Sequence, residues 1–178
     1  MASQGLKHKQ EHRFSELTRP DVLALDIATL TGYYSFHGYG TWNFTESLKR
    51  NDNKQHKDFR DTVMGYILEK GIKQVVAEDL NVNNYFADMR KLSEFRGILL
   101  EICDELGMPE PCFINVSTLK KWATGNGRAS KADMIKACKD KYWFSAPDDN
   151  VADACHLYYY FLGKYHIHSN GTTDGHSF

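Results

Sequence analysis

Three acidic residues of this chain stand where an ionised carboxylate is unfavourable. Val22-Leu23-Ala24-Leu25 runs into Asp26, Val75-Val76-Ala77 runs into Glu78, and Asp153 interrupts Val151, Ala152, Ala154 and Cys155. Apolar runs this short read as strands buried on both faces of a sheet, where a bare carboxylate needs a cation or hydrogen-bond donors. Three acids at one sheet edge make an all-oxygen site suited to hard divalent ions such as Mg²⁺, with Mn²⁺ as a substitute. Two such ions about 4 Å apart can activate a water and stabilise the leaving oxygen of a phosphodiester. The chemistry expected is that of a metal-dependent nuclease.

The surroundings of Asp153 add to the set. Asp149 lies four residues before it and Asn150 three, so either shares a helical face with it. An acid just after Pro147 is also an ordinary helix N-cap, which leaves Asp148 and Asp149 open between capping and ligation. The segment 117–141 supplies positive charge: Lys120, Lys121, Arg128, Lys131, Lys136, Lys139 and Lys141 against Asp133 and Asp140, a net +5. Such a segment is a solvated basic helix by itself, and a DNA clamp if it lies beside the carboxylates. Ser130 and Asp133 have capping-box spacing, and the N–H groups of that helix start can hold a phosphate.

Elements must bring these residues together. Two further strands, Gly32–Phe36 and Thr41–Phe44 around a His37-Gly38-Tyr39-Gly40 turn, follow the first as an antiparallel meander. A polar stretch from Lys49 to Lys57 leads into a helix carrying Phe59, Val63, Tyr66 and Ile67, stopped by Gly71. After the Glu78 strand, Met89, Leu92, Phe95, Leu99, Ile102 and Leu106 mark a long amphipathic helix. A fifth strand over Cys112–Val116 and helices over about 130–141 and 149–162 complete an α/β pattern. Ligands in such sheets gather beyond the carboxyl ends of neighbouring parallel strands, where Asp26 and Glu78 both lie.

A chain of 178 residues with net charge −1 fits one domain whose nucleic-acid contacts come from a local patch. Residues 1–19 read as a mobile arm, 20–164 as the body, and 165–178 as a flexible tail. Cys103, Cys112, Cys138 and Cys155 show no paired spacing, and His166-x-His168 lacks the cysteines of a zinc site. With no signal peptide or membrane span in the pattern, a reducing cytoplasm is the expected compartment.

Taken in order, Asp26-Ile27-Ala28-x-x-Thr31-Gly32-Tyr33, the Glu78 strand, Lys120, Gly125-Asn126-Gly127-Arg128-Ala129-Ser130-Lys131 and Asn150-x-x-Asp153-Ala154 resemble the RuvC family of Holliday-junction resolvases, in a phage-like form. The resemblance implies an RNase H-like fold with a five-stranded mixed sheet, a homodimer, and magnesium-dependent paired nicking of four-way DNA junctions in recombination, repair or phage DNA processing. It implies metal binding by Asp26, Glu78 and Asp153, with Asp149 or Asn150 completing the set. Lys120 would lie beside the scissile phosphate and Lys131 on the DNA backbone, with Lys121 and Arg128 of the basic segment as further DNA-binding candidates. Asn150 departs from the Asp or His often found at its place, and Asp-Ile-Ala departs from the Asp-Pro-Gly of some members. Tyr85 or Phe86 would replace the family's junction-opening aromatic, because Asn81 stands near its usual place.

Three other readings share some of these residues. An RNase H-type ribonuclease would use the same acids on RNA–DNA hybrids, and a non-catalytic junction-binding protein would keep the clamp without the chemistry. An actin-like phosphotransferase, suggested by Asp26-x-x-Thr29 and Gly32, needs a second lobe over its nucleotide, for which the chain is too short. The run Tyr158-Tyr159-Tyr160 reads as packing rather than a base-stacking platform.

Overall fold

In the computed structural model, which describes residues 14–79 and 86–168, the first apolar run forms β1 (Val22–Asp26), and its alternation sorts the core. Val22 and Ala24 lie on one side of the sheet with Val76, while Leu23 and Leu25 lie on the other with Val75 and Ala77. Both faces are covered, which is why this run shows no polar alternation.

β2 (Leu30–Ser35) and β3 (Gly38–Asn43) continue from β1 as an antiparallel meander. β4 (Gln74–Glu78) and β5 (Cys112–Ile114) add in parallel, giving the mixed sheet β3-β2-β1-β4-β5. On the Leu23 face lie α1 (Asp52–Lys70) and α2 (Phe86–Glu105), centred on Phe59 and Phe95, whose rings stack 4.4 Å apart. The Val22 face carries α3 (Val116–Thr124), α4 (Lys131–Tyr142) and α5 (Asp149–Lys164). α5 crosses β2, β1 and β4 directly, with α3 and α4 packed against it. This is the five-stranded α/β architecture that the sequence suggests.

Four local features differ from the expected boundaries. The hairpin turns at Phe36 and His37 rather than over residues 37–40, because Tyr39 pairs with Tyr34 and Gly40 with Tyr33. α1 begins at Asp52, well before Phe59: Asn51 caps it by accepting from the Lys54 N–H, and buried Gln55 donates to the Phe44 carbonyl at 2.6 Å. The polar stretch is therefore helix from Asp52 onward. β5 stops at Ile114, and Asn115 caps α3 by accepting from the Ser117 and Thr118 N–H groups. The body also runs past both expected ends. Phe14 is buried against Phe161 and Tyr165, with centroids at 5.1 and 4.5 Å, and Ile167 is buried beside them.

Candidate active site

The period-two alternation that buries Val22 and Ala24 carries Asp26 to the same face, and Val76 does the same for Glu78. β1 and β4 run parallel with Leu25 opposite Ala77, so the two carboxylates leave neighbouring strand ends side by side on the α5 face.

A glycine brings α5 onto them. Gly32 pairs with Asp26 across β1 and β2, and a Cβ built on it would lie 2.1 Å from the Asn150 carbonyl oxygen. Only a residue without a side chain lets the first turn of α5 rest on the strand here. Asp148 caps that turn, accepting from the Val151 N–H at 2.8 Å and from the Thr41 hydroxyl at 2.8 Å. Capping thus falls to Asp148, and Asp149 is left to face the acids. Asn150 follows with its backbone pressed against Gly32.

The electrostatics show how closely the acids are gathered. Burial, then repulsion from Glu78, Asp153 and Asp149, pushes the Asp26 carboxyl well above the ordinary range, with Lys131 pulling the other way. Burial and then Asp153 push Glu78 up to about 7 against the pull of Lys120. Asp153 is pushed up to about 6, chiefly by burial, while His156 and Lys120 draw it down. Asp149 is held below its ordinary value by its bond to Lys131. Lys120 is half-buried on α3 with its charge felt by Glu78 and Asp153, and Lys131 reaches the cluster from the start of α4.

Asp153 Oδ1 is buried without a hydrogen-bond partner. An orphaned carboxylate oxygen beside two acids of raised pKa fits a cation site, and the all-oxygen donor set suits a hard divalent ion. Among the described residues, no three His, Cys, Asp or Glu side chains converge closely enough to hold an ion as they stand. Asp149 is turned toward Lys131, and the other acids repel one another. Closing the set therefore takes side-chain rotation that a cation would favour.

Of the other expected residues, Lys121 and Arg128 are exposed, at the end of α3 and in the loop before α4, and neither is among the charges that shift the acids. Tyr85 and the side chain of Phe86 lie outside the described residues.

Two contributors were not legible in the residue pattern. His156, fully buried, donates from Nε2 to the Met134 carbonyl at 2.9 Å and leaves Nδ1 unpartnered one turn beyond Asp153. Arg96 of α2 donates to Asp79 at 2.5 Å and lies 3.4 Å above the Phe113 ring, which pins the chain just after Glu78. The orphaned nitrogen and the stacked guanidinium depend on contacts between distant elements, and no spacing rule reports them.

No protein-family model matches this chain, and no curated protein matches it in sequence. Solved structures share its fold. It is similar to RuvC of Thermus thermophilus, with TM-score 0.64 and 14% identity over 82% of this chain and 96% of that one. The T. thermophilus RuvC in complex with a Holliday junction substrate gives TM-score 0.63 and 15% identity over 80% and 95%. The yeast mitochondrial Holliday junction resolvase Ydc2 gives 0.53 and 13% over 85% and 82%.

Proposed function

We propose that this chain is a structure-specific DNA endonuclease that nicks four-way junctions in symmetric pairs. The observation that carries the reading is that Asp26 and Glu78 leave neighbouring strand ends on the α5 face, near enough to Asp153 and Asp149 for the acids to raise one another's pKa, with the charges of Lys120 and Lys131 felt among them. Lysines at that place bring an anionic phosphodiester to acids that would otherwise repel it. Asp26, Glu78 and Asp153, with Asp149 or Asn150, would hold Mg²⁺ or Mn²⁺. Two bound ions would supply an activated water and stabilise the departing 3′ oxygen, leaving 5′-phosphate and 3′-hydroxyl ends. Lys120 holds the scissile phosphate over the strand ends, and Lys131, released from Asp149, holds its neighbour. Paired nicking calls for two copies of the site facing opposed strands, so the active species is a homodimer.

The test is cleavage of an end-labelled four-way junction in Mg²⁺, beside linear duplex and RNA–DNA hybrid of the same sequence. Symmetric nicks in the junction alone are expected. Preferential cutting of the hybrid would move the protein to the ribonucleases, and tight junction binding without cutting would make it a binding protein, a reading the uncollected acids of the resting site would then explain.

A further inference from the structure

Trp143 is not accounted for by folding. It closes α4 at φ 55 and ψ 26, a left-handed position where glycine is the usual occupant. The residue is 93% exposed. A bulky residue at positive φ is a genuine outlier, and a bare indole adds nothing to the core.

The neighbouring rings show that this is a rigid placement. Tyr142 stacks on Tyr159 with centroids 4.1 Å apart, and Phe144 packs on Tyr39 at 4.7 Å and on Tyr34 at 5.3 Å. Anchors on both sides and the left-handed turn between them hold the indole outward.

The surroundings are basic. Lys136 and Lys139 lie three residues apart on one face of α4, both exposed, and Trp143 follows at the C-terminal end of the same helix. Lys136 pairs with Asp140, the acid of this face. Lys141 donates to the Trp122 carbonyl at 2.8 Å and lies 4.9 Å from the centroid of that partly exposed ring. The same helix starts at Lys131 in the candidate active site, so the surface runs from the acids to Trp143 over about 18 Å.

We propose that Trp143 is a stacking platform for an unpaired nucleobase, with the phosphates of that strand held by Lys139 and Lys136. Charge complementarity selects this occupant: seven basic residues against two acidic over 117–141 suit a polyanion carrying aromatic bases. The inference deepens the nuclease reading and rests on it, because a branched substrate exposes unstacked bases near its crossover.

The experiment measures binding of a short oligothymidylate and of a four-way junction to Asp26→Asn protein, with Trp143→Gly and Trp143→Phe added in turn. Glycine relieves the left-handed strain, so the Trp143→Gly protein should melt at the same temperature or a few degrees higher. Its affinity for oligothymidylate should fall by about 5- to 150-fold, and quenching of tryptophan emission on binding should shrink. Phenylalanine should restore most of the affinity, and Lys139→Ala should lower the salt dependence of binding by about one counterion. Unchanged affinity and quenching in Trp143→Gly would overturn the proposal, as would a change in oligomeric mass, which would make the surface a protein contact. A parent protein that binds neither DNA would defeat the nuclease reading itself, whereas one that binds both equally with and without Trp143 would defeat only the stacking role.

Discussion

At the scale of single residues, the site is a set of acids held close to neutrality by their surroundings. Glu78 at about 7 and Asp153 at about 6 lie above the values they would have in an unfolded chain, and burial is the first cause for both. An acid whose folded pKa is raised leaves the native state least penalised below its unfolded pKa, and that advantage is lost as pH rises through the folded value. In chelator these two acids should therefore make the protein lose stability as pH rises from about 4.5 to just above 7. Glu78→Gln should flatten the upper part of that curve; a parent whose melting temperature climbs from pH 5 to 8 would contradict the assignment. Protons and Mg²⁺ compete for the same oxygens, so nicking at limiting Mg²⁺ should rise between about pH 6 and 8, with a midpoint that falls as Mg²⁺ increases. Asp26, Glu78 and Asp153 were legible in the sequence because an acid that interrupts or ends an apolar run has few structural explanations. Which of Asp148 and Asp149 caps α5 was not, since either could accept from the first-turn N–H groups, and only the Val151 and Thr41 bonds of Asp148 and the Lys131 pairing of Asp149 separate them.

Among elements, the fit between β2 and the first turn of α5 decides whether the acids meet. Gly32→Ala puts a methyl group into the Asn150 carbonyl, a backbone atom that can move only with the helix. We expect a loss of about 1–3 kcal/mol in stability, as for other overpacked sites, and a drop of at least about tenfold in nicking from Asp153 misplaced by an ångström or so. Gly65→Ala is the control: it lies on the exposed face of α1 with open space around its Cβ and should stabilise by about 0.5–1 kcal/mol in urea titrations. A Gly32→Ala protein as stable and active as wild type would remove the close approach from the account. The sheet and the long helices could be read from periodicity. α3 could not, because it spans only nine residues, buries Leu119 and Ala123 in full, and opens with β-branched residues that extend the preceding strand pattern. It nonetheless positions Lys120.

For the whole molecule, a net charge of −1 conceals a basic edge around the acids, so junction binding should weaken steeply with salt, and less steeply after Lys131→Ala, by about one counterion. The homodimer is tested by mass with junction bound; a single copy per junction would contradict paired nicking. At 13–15% identity the neighbours share the fold alone; that fold was readable from the apolar pattern, whereas contacts between distant elements were not. The proposed cutting of a branched phosphodiester backbone by the strand-end acids, once they hold divalent ions, is tested by incubating an end-labelled four-way junction with wild-type and Asp26→Asn protein in Mg²⁺. Paired nicks by the wild type and a fall of more than about a thousandfold in the variant, with junction affinity and melting temperature kept or raised, are the expected result; undiminished nicking by the pure Asp26→Asn protein would contradict it.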